Sequence, residues 1–185
     1  MNKEHDIRPE QLLLRPLLQS DVQAYKTVRL SGLQLSPLSF GTSFEEENVH
    51  SDAFFARRLE QVNGNVVFGA FNGSTLLGTA GMFRHERKAE RHRGTLWGVY
   101  VMPEARGHQL GWALVERIVD HAARHVDILD AKVVTTNDVA KQIYSALSFK
   151  TYGVEVKSLF MQGQYLDQDL LFIDFTDPLR KQRES

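Results

Sequence analysis

Residues 99–112 combine the residue types that could bind a diphosphate group. A valine-rich segment, Val99 to Val101, is closed by Pro103, and the chain then passes through Arg106 before a helix with apolar periodicity. The first turn of a helix has unpaired N–H groups and the positive end of the helix dipole, so an anion placed there accepts hydrogen bonds. The segment therefore predicts a strand, a turn and a phosphate-binding helix N-terminus.

The turn itself supplies the candidate phosphate ligands. Gly107 and Gly111 remove side chains where phosphate and backbone must approach closely, and Arg106 adds a positive charge. Neither the P-loop pattern nor the G-x-G-x-x-G dinucleotide pattern occurs. The two glycines alone would also fit an ordinary strand–turn–helix. The candidate residues of the turn are Arg106, Gly107, His108, Gln109, Leu110, Gly111 and Trp112.

Two motifs carry a family resemblance. The segment 106–111 resembles the R/Q-x-x-G-x-G/A signature of the GNAT superfamily of acetyl-CoA-dependent N-acyltransferases, and the preceding Val-x-Val-x-Pro is similar to that family's strand. Residues 137–149 (NDVAKQIYSALSF) resemble its next motif, Asn-x-x-Ala-x-x-x-Tyr-x-x-x-Gly-Phe. With both motifs in the expected order, the chain resembles small bacterial GNAT proteins of unassigned acceptor over about residues 12–175.

Two positions differ from the family pattern. Gln109 replaces the middle glycine of the signature, and it fits there with a negative φ or with mild strain. Ser148 replaces the glycine before Phe149, at a helix C-terminus where serine adopts the left-handed conformation less readily than glycine. The backbone angles at Gln109 and Ser148 therefore decide how closely the two turns follow the family.

The resemblance implies transfer of an acetyl group from acetyl-CoA to a primary amine by direct attack in a ternary complex. It implies a V-shaped gap between the strands ending at Val101 and Thr135, where the backbone of Val99 and Val101 pairs with the pantetheine arm and polarises the thioester. Asn137 and Tyr144 lie two helical turns apart and share a face. The resemblance makes Tyr144 the general acid, whereas capping by Asn137 and simple packing of Tyr144 are the alternatives.

The acceptor side is less defined. The carboxylates of 45–47 fit either a cationic amine or the first turn of a helix, and the second role is favoured. Lys132 stands where some relatives carry a glutamate, so no base is assigned and water can serve. The segments 31–44 and 153–171 are expected to close the acceptor pocket. Candidate bases in a loop beside the strands are His85, Glu86 and His92.

Composition excludes several function classes. The 185 residues include no cysteine, which removes disulfides and thiol chemistry. The net charge of −1 gives no basic surface for nucleic acid, and no apolar run approaches the ~20 residues of a membrane helix. His121 and His125 are four residues apart but have no third metal ligand.

These features predict a cytoplasmic protein with no metal, nucleic acid or membrane partner, acting on a small-molecule or peptide amine. A homodimer remains open, and a non-catalytic acyl-CoA-binding or sensing module is the alternative function.

Hydrophobic periodicity predicts one α/β domain over 1–185, with a mixed sheet of about seven strands and helices on both faces. Ser20 is expected to cap the first helix, and Ser43 with Glu46 has the spacing of a capping box for the second, which otherwise starts at Ser51. Asn72-Gly73 predicts a hairpin. Strands are expected at 11–18, 65–71, 75–83, 95–101, 128–135, 150–156 and 165–175, helices at 21–30, 43–61, 110–124 and 137–147, and a loose tail at 177–185.

Overall fold

A seven-stranded mixed sheet runs through residues 12–177, which are the residues that the computed structural model describes. Its order is β1-β2-β3-β4-β5-β7-β6, and every neighbouring pair is antiparallel except the parallel pair β4–β5. The predicted mixed sheet is thus confirmed. The strands are β1 Leu12–Pro16, β2 Val66–Asn72, β3 Thr75–Arg84, β4 Arg93–Val101, β5 Ile128–Val134, β6 Lys150–Met161 and β7 Gln164–Asp174.

Five α-helices accompany the sheet within the described residues: α1 Val22–Leu35, α2 Phe44–Asn48, α3 Asp52–Arg58, α4 Leu110–Ala122 and α5 Asp138–Ala146. The apolar residues of α4 recur at a spacing of four, which puts them on one face of the helix. All four are buried, as their spacing predicts: Leu110, Leu114, Ile118 and Ala122. The predicted tail beyond Asp177 lies outside the described residues.

Apolar side chains pack on both faces of the sheet. In β2 the alternation of a strand sends Val66 and Phe68 into one hydrophobic cluster and Val67 into another. The first cluster includes the buried face of α4, and the second includes residues of α1 and α3. Helices therefore cover both faces, as predicted, and the central strands are buried on both sides.

The first helix differs from its prediction at both ends. Its N-cap is Asp21, not Ser20, because Ser20 lies in a 3-10 turn, Gln19–Asp21, that precedes the helix. The Asp21 carboxylate makes no capping bond to α1; it accepts the N–H of Leu18 at 2.7 Å at the start of that turn and pairs with Arg15. The predicted loop from Ser31 is also wrong, since α1 continues to Leu35. Position 32 lies inside the helix, and it is a glycine because a Cβ there would stand 3.0 Å from the Tyr100 ring. A glycine that signals a loop in the sequence thus serves close packing.

The other local predictions mostly hold. Ser43 and Glu46 form both hydrogen bonds of the capping box, and Ser51 starts a separate helix, so the two alternatives are both realised as short helices. The hairpin between β2 and β3 is confirmed, with its loop one residue later than predicted. The last two strands form a pair that turns at Gly163, and β6 extends to Met161 rather than ending at 156 as predicted. Among the described residues, no helix is both long and apolar enough to span a bilayer.

Candidate active site

The parallel strands β4 and β5 part shortly after they meet. Their register contains only three pairs, which begin at Arg93 and end where Thr95 faces Asp130. Beyond that point β4 continues to Val101 with no ladder partner on its β5 side. The predicted V-shaped gap is therefore present, and the β4 edge that borders it is available to an extended ligand.

A β-bulge lies on β4 within the gap. The register with β3 shifts between the pairs Gly81–Trp97 and Thr79–Tyr100, which leaves one extra residue on β4. Gly98 occupies this bulge with φ of 63°, and the Thr79 hydroxyl donates to its carbonyl at 3.2 Å. Bulges redirect the backbone groups of a strand beside them. The bulge thus changes the direction of the β4 backbone next to Val99, beside the gap.

The turn that follows β4 ends in a helix N-terminus without a side-chain cap. Gln109 is the N-cap of α4, its side chain makes no capping hydrogen bond, and the first turn holds no acidic residue. By contrast, Ser43 caps α2 and Asn137 caps α5 through their side chains. The first N–H groups of an α-helix have no partner within the helix. The start of α4 can therefore offer them to an anion.

The two glycines of the turn have different surroundings. Gly107 has a φ of 83°, and a Cβ built on it meets nothing within 4 Å, so open space surrounds it. A Cβ on Gly111 would lie 3.3 Å from Ile143 and 3.7 Å from Val101. The small size of Gly111 consequently lets α5 pack against the start of α4, while Gly107 provides the left-handed turn before it.

Both departures from the family pattern keep the backbone of glycine. Gln109 has φ of 57°, and Ser148 has φ of 68°. For a residue with a Cβ, the left-handed region costs roughly 1–2 kcal/mol. The turns are therefore preserved at some cost in stability, and of the two alternatives for Gln109, mild strain is the one observed.

Replacing Gln109 by glycine should raise the free energy of unfolding by about 1 kcal/mol, because glycine adopts a positive φ without a Cβ clash. The melting temperature should rise by about 2–4 °C. Gln109→Ala is the control, since alanine also loses the long side chain but keeps the Cβ. Equal stabilisation by both substitutions would show that the glutamine side chain, rather than the backbone angle, is the cause.

The other predicted turn residues divide into exposed and buried groups. The exposed Arg106 donates from Nε to the Val101 carbonyl at 3.3 Å, which holds its guanidinium at the end of β4. His108 is also exposed, and its Nδ1 lies 3.1 Å from the Arg106 carbonyl. Leu110 is a core residue, so only its backbone could contact a phosphate. Trp112 is half-buried in the first turn of α4.

Asn137 and Tyr144 lie on α5, which packs beside this turn. The Asn137 side chain accepts the Ala140 N–H at 3.2 Å, so its capping role is confirmed. Tyr144 is 5% exposed, its ring lies 5.2 Å from that of Phe149, and burial raises the pKa of its hydroxyl above the usual 10.0. The hydroxyl therefore keeps its proton throughout the neutral range.

A cavity of about 690 Å³ borders the gap. Both strands of the gap contribute, β4 through Leu96 to Gly98 and β5 through Asp130 to Lys132. The two segments expected to close the acceptor pocket also contribute, through residues 39–42 and Gln168. The turn residues 106–112 do not line it. The cavity and the turn therefore share no lining residue, and the cavity has a volume that a small molecule can fill.

Of the three candidate bases, only His85 lines this cavity. Its Nε2 lies 2.9 Å from the Thr95 hydroxyl, at the last paired residue of β4. Its other ring nitrogen is 3.9 Å from a Glu90 carboxylate oxygen. The imidazole is thereby oriented between an acid and the point where the strands part.

One charged cluster in the cavity wall could not be foreseen from sequence. Glu47 is buried between two arginines, each of which donates two hydrogen bonds to it: Arg29 at 3.0 and 2.6 Å, and Arg58 at 2.8 and 3.0 Å. The helix role predicted for the carboxylates of 45–47 is confirmed, because all three lie in the first turn of α2. In addition, Glu47 forms a buried ion pair with the two arginines.

The paired histidines, His121 in the last turn of α4 and His125 just after the helix, bond to backbone rather than to a common centre. His121 Nε2 lies 2.9 Å from the Gly64 carbonyl, and His125 Nδ1 lies 2.7 Å from the His121 carbonyl. Within the described residues, no group of three His, Cys, Asp or Glu side chains could hold a metal ion.

Solved structures of acetyltransferases share this fold. The yncA protein of Salmonella typhimurium, with its cofactor acetyl-CoA, has a TM-score of 0.77 at 17% identity, covering 90% of this chain and 95% of its own. A phosphinothricin acetyltransferase of Sinorhizobium meliloti in complex with acetyl-CoA has a TM-score of 0.77 at 21% identity, covering 89% and 88%. A ribosomal-protein-alanine N-acetyltransferase of Brucella melitensis has a TM-score of 0.74 at 20% identity, covering 88% and 99%. The fold is thus that of acetyltransferases.

The family follows from the sequence. The model of the acetyltransferase (GNAT) family matches residues 33–149, which is more than half of the chain. This protein therefore belongs to the GNAT acetyltransferase family, and the resemblance of its two motifs is confirmed. A comparison with curated proteins finds no match.

Proposed function

We propose that this protein transfers the acetyl group of acetyl-CoA to a primary amine. The observation that supports this most is the parting of β4 and β5 between an uncapped helix start and a cavity of about 690 Å³. A thioester bound along the free edge of β4 could therefore meet an amine held in the cavity. This arrangement suits direct transfer in a ternary complex, because the two reactants are held together without a covalent enzyme intermediate.

The residues of the turn fit the diphosphate of acetyl-CoA. The N–H groups from Gln109 to Gly111 are proposed to donate to it, Arg106 to neutralise its charge, and the open space at Gly107 to admit it. His108 and Trp112 border this site. The free edge of β4 at Val99 and Val101 offers hydrogen bonds to the pantetheine amides, and Asn137 at the start of α5 is proposed to border the same arm.

The proposed reaction forms a C–N bond as the thioester C–S bond breaks. Backbone N–H groups of β4 near Val99 stabilise the negative charge on the carbonyl oxygen. Tyr144 donates its hydroxyl proton to the departing sulfur and regains a proton from solvent. The proton lost by the amine leaves through the cavity, where His85 lines the wall and can accept it.

Calorimetry with separate ligands tests the cofactor. Acetyl-CoA and CoA should bind, whereas NAD and ATP should not, because the turn at 106–112 is the phosphate-binding feature of the sequence and lacks the dinucleotide and P-loop patterns. An absence of heat from CoA at high micromolar concentration would contradict the proposal.

Release of free thiol from acetyl-CoA in a panel of amines then separates an enzyme from a non-catalytic acyl-CoA-binding module, which would bind without turnover.

A further inference from the structure

The cluster of Arg29, Glu47 and Arg58 carries more positive than negative charge. Two guanidinium groups share one carboxylate. Burial alone would raise the pKa of Glu47, but the hydrogen bonds and charges of the two arginines outweigh it and lower the pKa to about 2, so this carboxylate stays ionised at neutral pH. The cluster therefore has a net charge of +1. Its side chains are 8%, 3% and 24% exposed for Arg29, Glu47 and Arg58, so water solvates this charge poorly. An excess charge in such surroundings is stabilised by a bound counter-ion.

The other cations of the cavity wall already have partners of their own. Arg93 is paired with Asp130, and Lys132 donates to Glu155 at 2.7 Å. Glu46, the remaining carboxylate of the wall, is exposed and accepts the Ser43 N–H at 2.7 Å in the capping box. The excess positive charge of the described cavity wall therefore lies at the two buried arginines, whereas Glu46 is an exposed negative charge that water can solvate.

Aromatic rings fix the more accessible guanidinium in place. The Arg58 guanidinium carbon lies 4.5 Å from the Phe54 ring centre and 5.4 Å from that of Trp97, and both rings line the same cavity. Glu47 accepts two of the five N–H groups of Arg58. An oriented guanidinium with further donors is suited to bind a planar oxyanion.

We propose that the acetyl acceptor of this enzyme is an amine that also carries an acidic oxyanion, a carboxylate or a phosphonate, and that Arg58 binds this group while the amine points to the gap between β4 and β5. The inference rests on the proposed acetyl transfer. It names the substrate class, which neither the family nor the fold specifies. Arg29 and Glu47 hold Arg58 in position, and the acid of the substrate supplies the counter-ion of the cluster.

Matched acceptors test this with the unmodified protein. Linear ω-amino carboxylates of two to six carbons, the corresponding ω-aminoalkylphosphonates and the n-alkylamines of equal length are compared by the rate of thiol release from acetyl-CoA. For at least one length, an acidic acceptor should exceed its alkylamine by about 10- to 100-fold in kcat/KM, the range of a charge-assisted hydrogen bond. The better of the two acids identifies the anion. Equal rates for acidic and uncharged acceptors, or a preference for diamines, would overturn the proposal.

Substitutions of Arg58 assign the preference to this site. Arg58→Met should lower kcat/KM for the acidic acceptor by about 10- to 100-fold, leave the alkylamine rate within about threefold, and leave the neutral Arg29–Glu47 pair in place. Arg58→Lys keeps the charge but loses the planar fork, so part of the preference should return. The control is Arg57→Met, because Arg57 is exposed, does not line the cavity and changes the net charge equally. Loss of the preference in Arg57→Met, or its retention in a folded Arg58→Met, would contradict the assignment.

A binding measurement separates this inference from the proposed function. Calorimetry with the ω-amino acids in the presence of CoA requires no turnover. Binding that depends on Arg58 without acetyl transfer to any amine would refute the transferase and support the anion site. Transfer to amines without dependence on an acid or on Arg58 would refute the anion site and support the transferase.

Discussion

Replacing Tyr144 by phenylalanine is expected to lower kcat by about 10²–10⁴-fold, the usual contribution of a general acid. The affinity for acetyl-CoA should stay nearly constant, because the ring and its contact with Phe149 remain. A loss confined to kcat indicates an interaction that forms in the transition state. The measurement is thiol release with a verified acceptor, together with calorimetry for acetyl-CoA.

The environment of Tyr144 also predicts how kcat should respond to pH. Burial raises the pKa of the hydroxyl above 10.0, so the acid form is present at every pH at which the protein is assayed. Ionisation of Tyr144 should therefore cause no decline of kcat below about pH 10, and an activity lost at lower pH must involve another group.

The control for Tyr144 is Tyr165→Phe. Tyr165 is 62% exposed, lies on β7 and does not line the cavity, so the loss of its hydroxyl should leave kcat unchanged. An unaltered kcat in Tyr144→Phe would make Tyr144 a packing residue, with water as the proton donor. If kcat, affinity and thermal stability all decline together, the hydroxyl has a structural role and the assignment is also wrong.

The substitution Glu47→Gln should destabilise the fold by about 3–5 kcal/mol, the usual result of removing one partner from a buried ion pair. The two arginines would then face each other across a neutral amide, at a site where Glu47 is 2% exposed. Glu45→Gln is the control, since Glu45 lies two residues away on the same helix and is exposed. Chemical denaturation at pH 7 gives both values, and equal effects would show that the buried pair contributes nothing specific.

The advantage of Glu47 over glutamine should depend on pH. The two arginines lower the pKa of Glu47 in the folded protein from 4.5 to about 2. A carboxylate whose pKa is lower in the folded than in the unfolded protein stabilises the fold at pH values above its unfolded pKa. This contribution is lost as the pH falls toward its folded pKa. The difference in stability between the two proteins should therefore be constant above about pH 5 and shrink between about pH 4.5 and 2. A difference that stays constant down to pH 2 would contradict the ion-pair explanation.

Predictions from sequence succeed here where local rules determine the structure. The buried face of α4 follows from its four-residue spacing, and the box of Ser43 and Glu46 from its hydrogen-bonding pattern. The parting of β4 and β5 was implied by the two motifs and is present. The positive φ of Gln109 shows that a motif can preserve a backbone conformation after its glycine is lost.

The failures arise where residues distant in sequence meet. Ser31 and Gly32 suggest a loop, yet the Tyr100 ring, far along the chain, needs a small helical residue beside it. Ser20 lies in a 3-10 turn before α1, and this turn is held by the Asp21 carboxylate, which binds Arg15 and the N–H of Leu18. No local pattern contains these contacts, so element boundaries shift by several residues.

The charged cluster shows the same limit more clearly. Glu45, Glu46 and Glu47 are three consecutive residues of the same type. The first is exposed, the second closes a capping box and the third is buried between arginines. Arg57 and Arg58 are adjacent and identical in type, and only Arg58 reaches the cavity. The direction of each side chain depends on how α1, α2 and α3 pack, which a single sequence does not specify.

The separation of the turn from the cavity has a consequence for protein engineering. The turn and its neighbouring helix lie within residues 99–149, whereas much of the cavity wall comes from the segments 29–58 and 152–168 on either side. The strands β4 and β5 both border the gap and contribute to the cavity wall. Exposed cavity-lining positions of these flanking segments, such as Gly41, His50 and Tyr152, can therefore be randomised while the buried residues and the proposed donor-binding middle of the chain are kept, which offers a route to new acceptors.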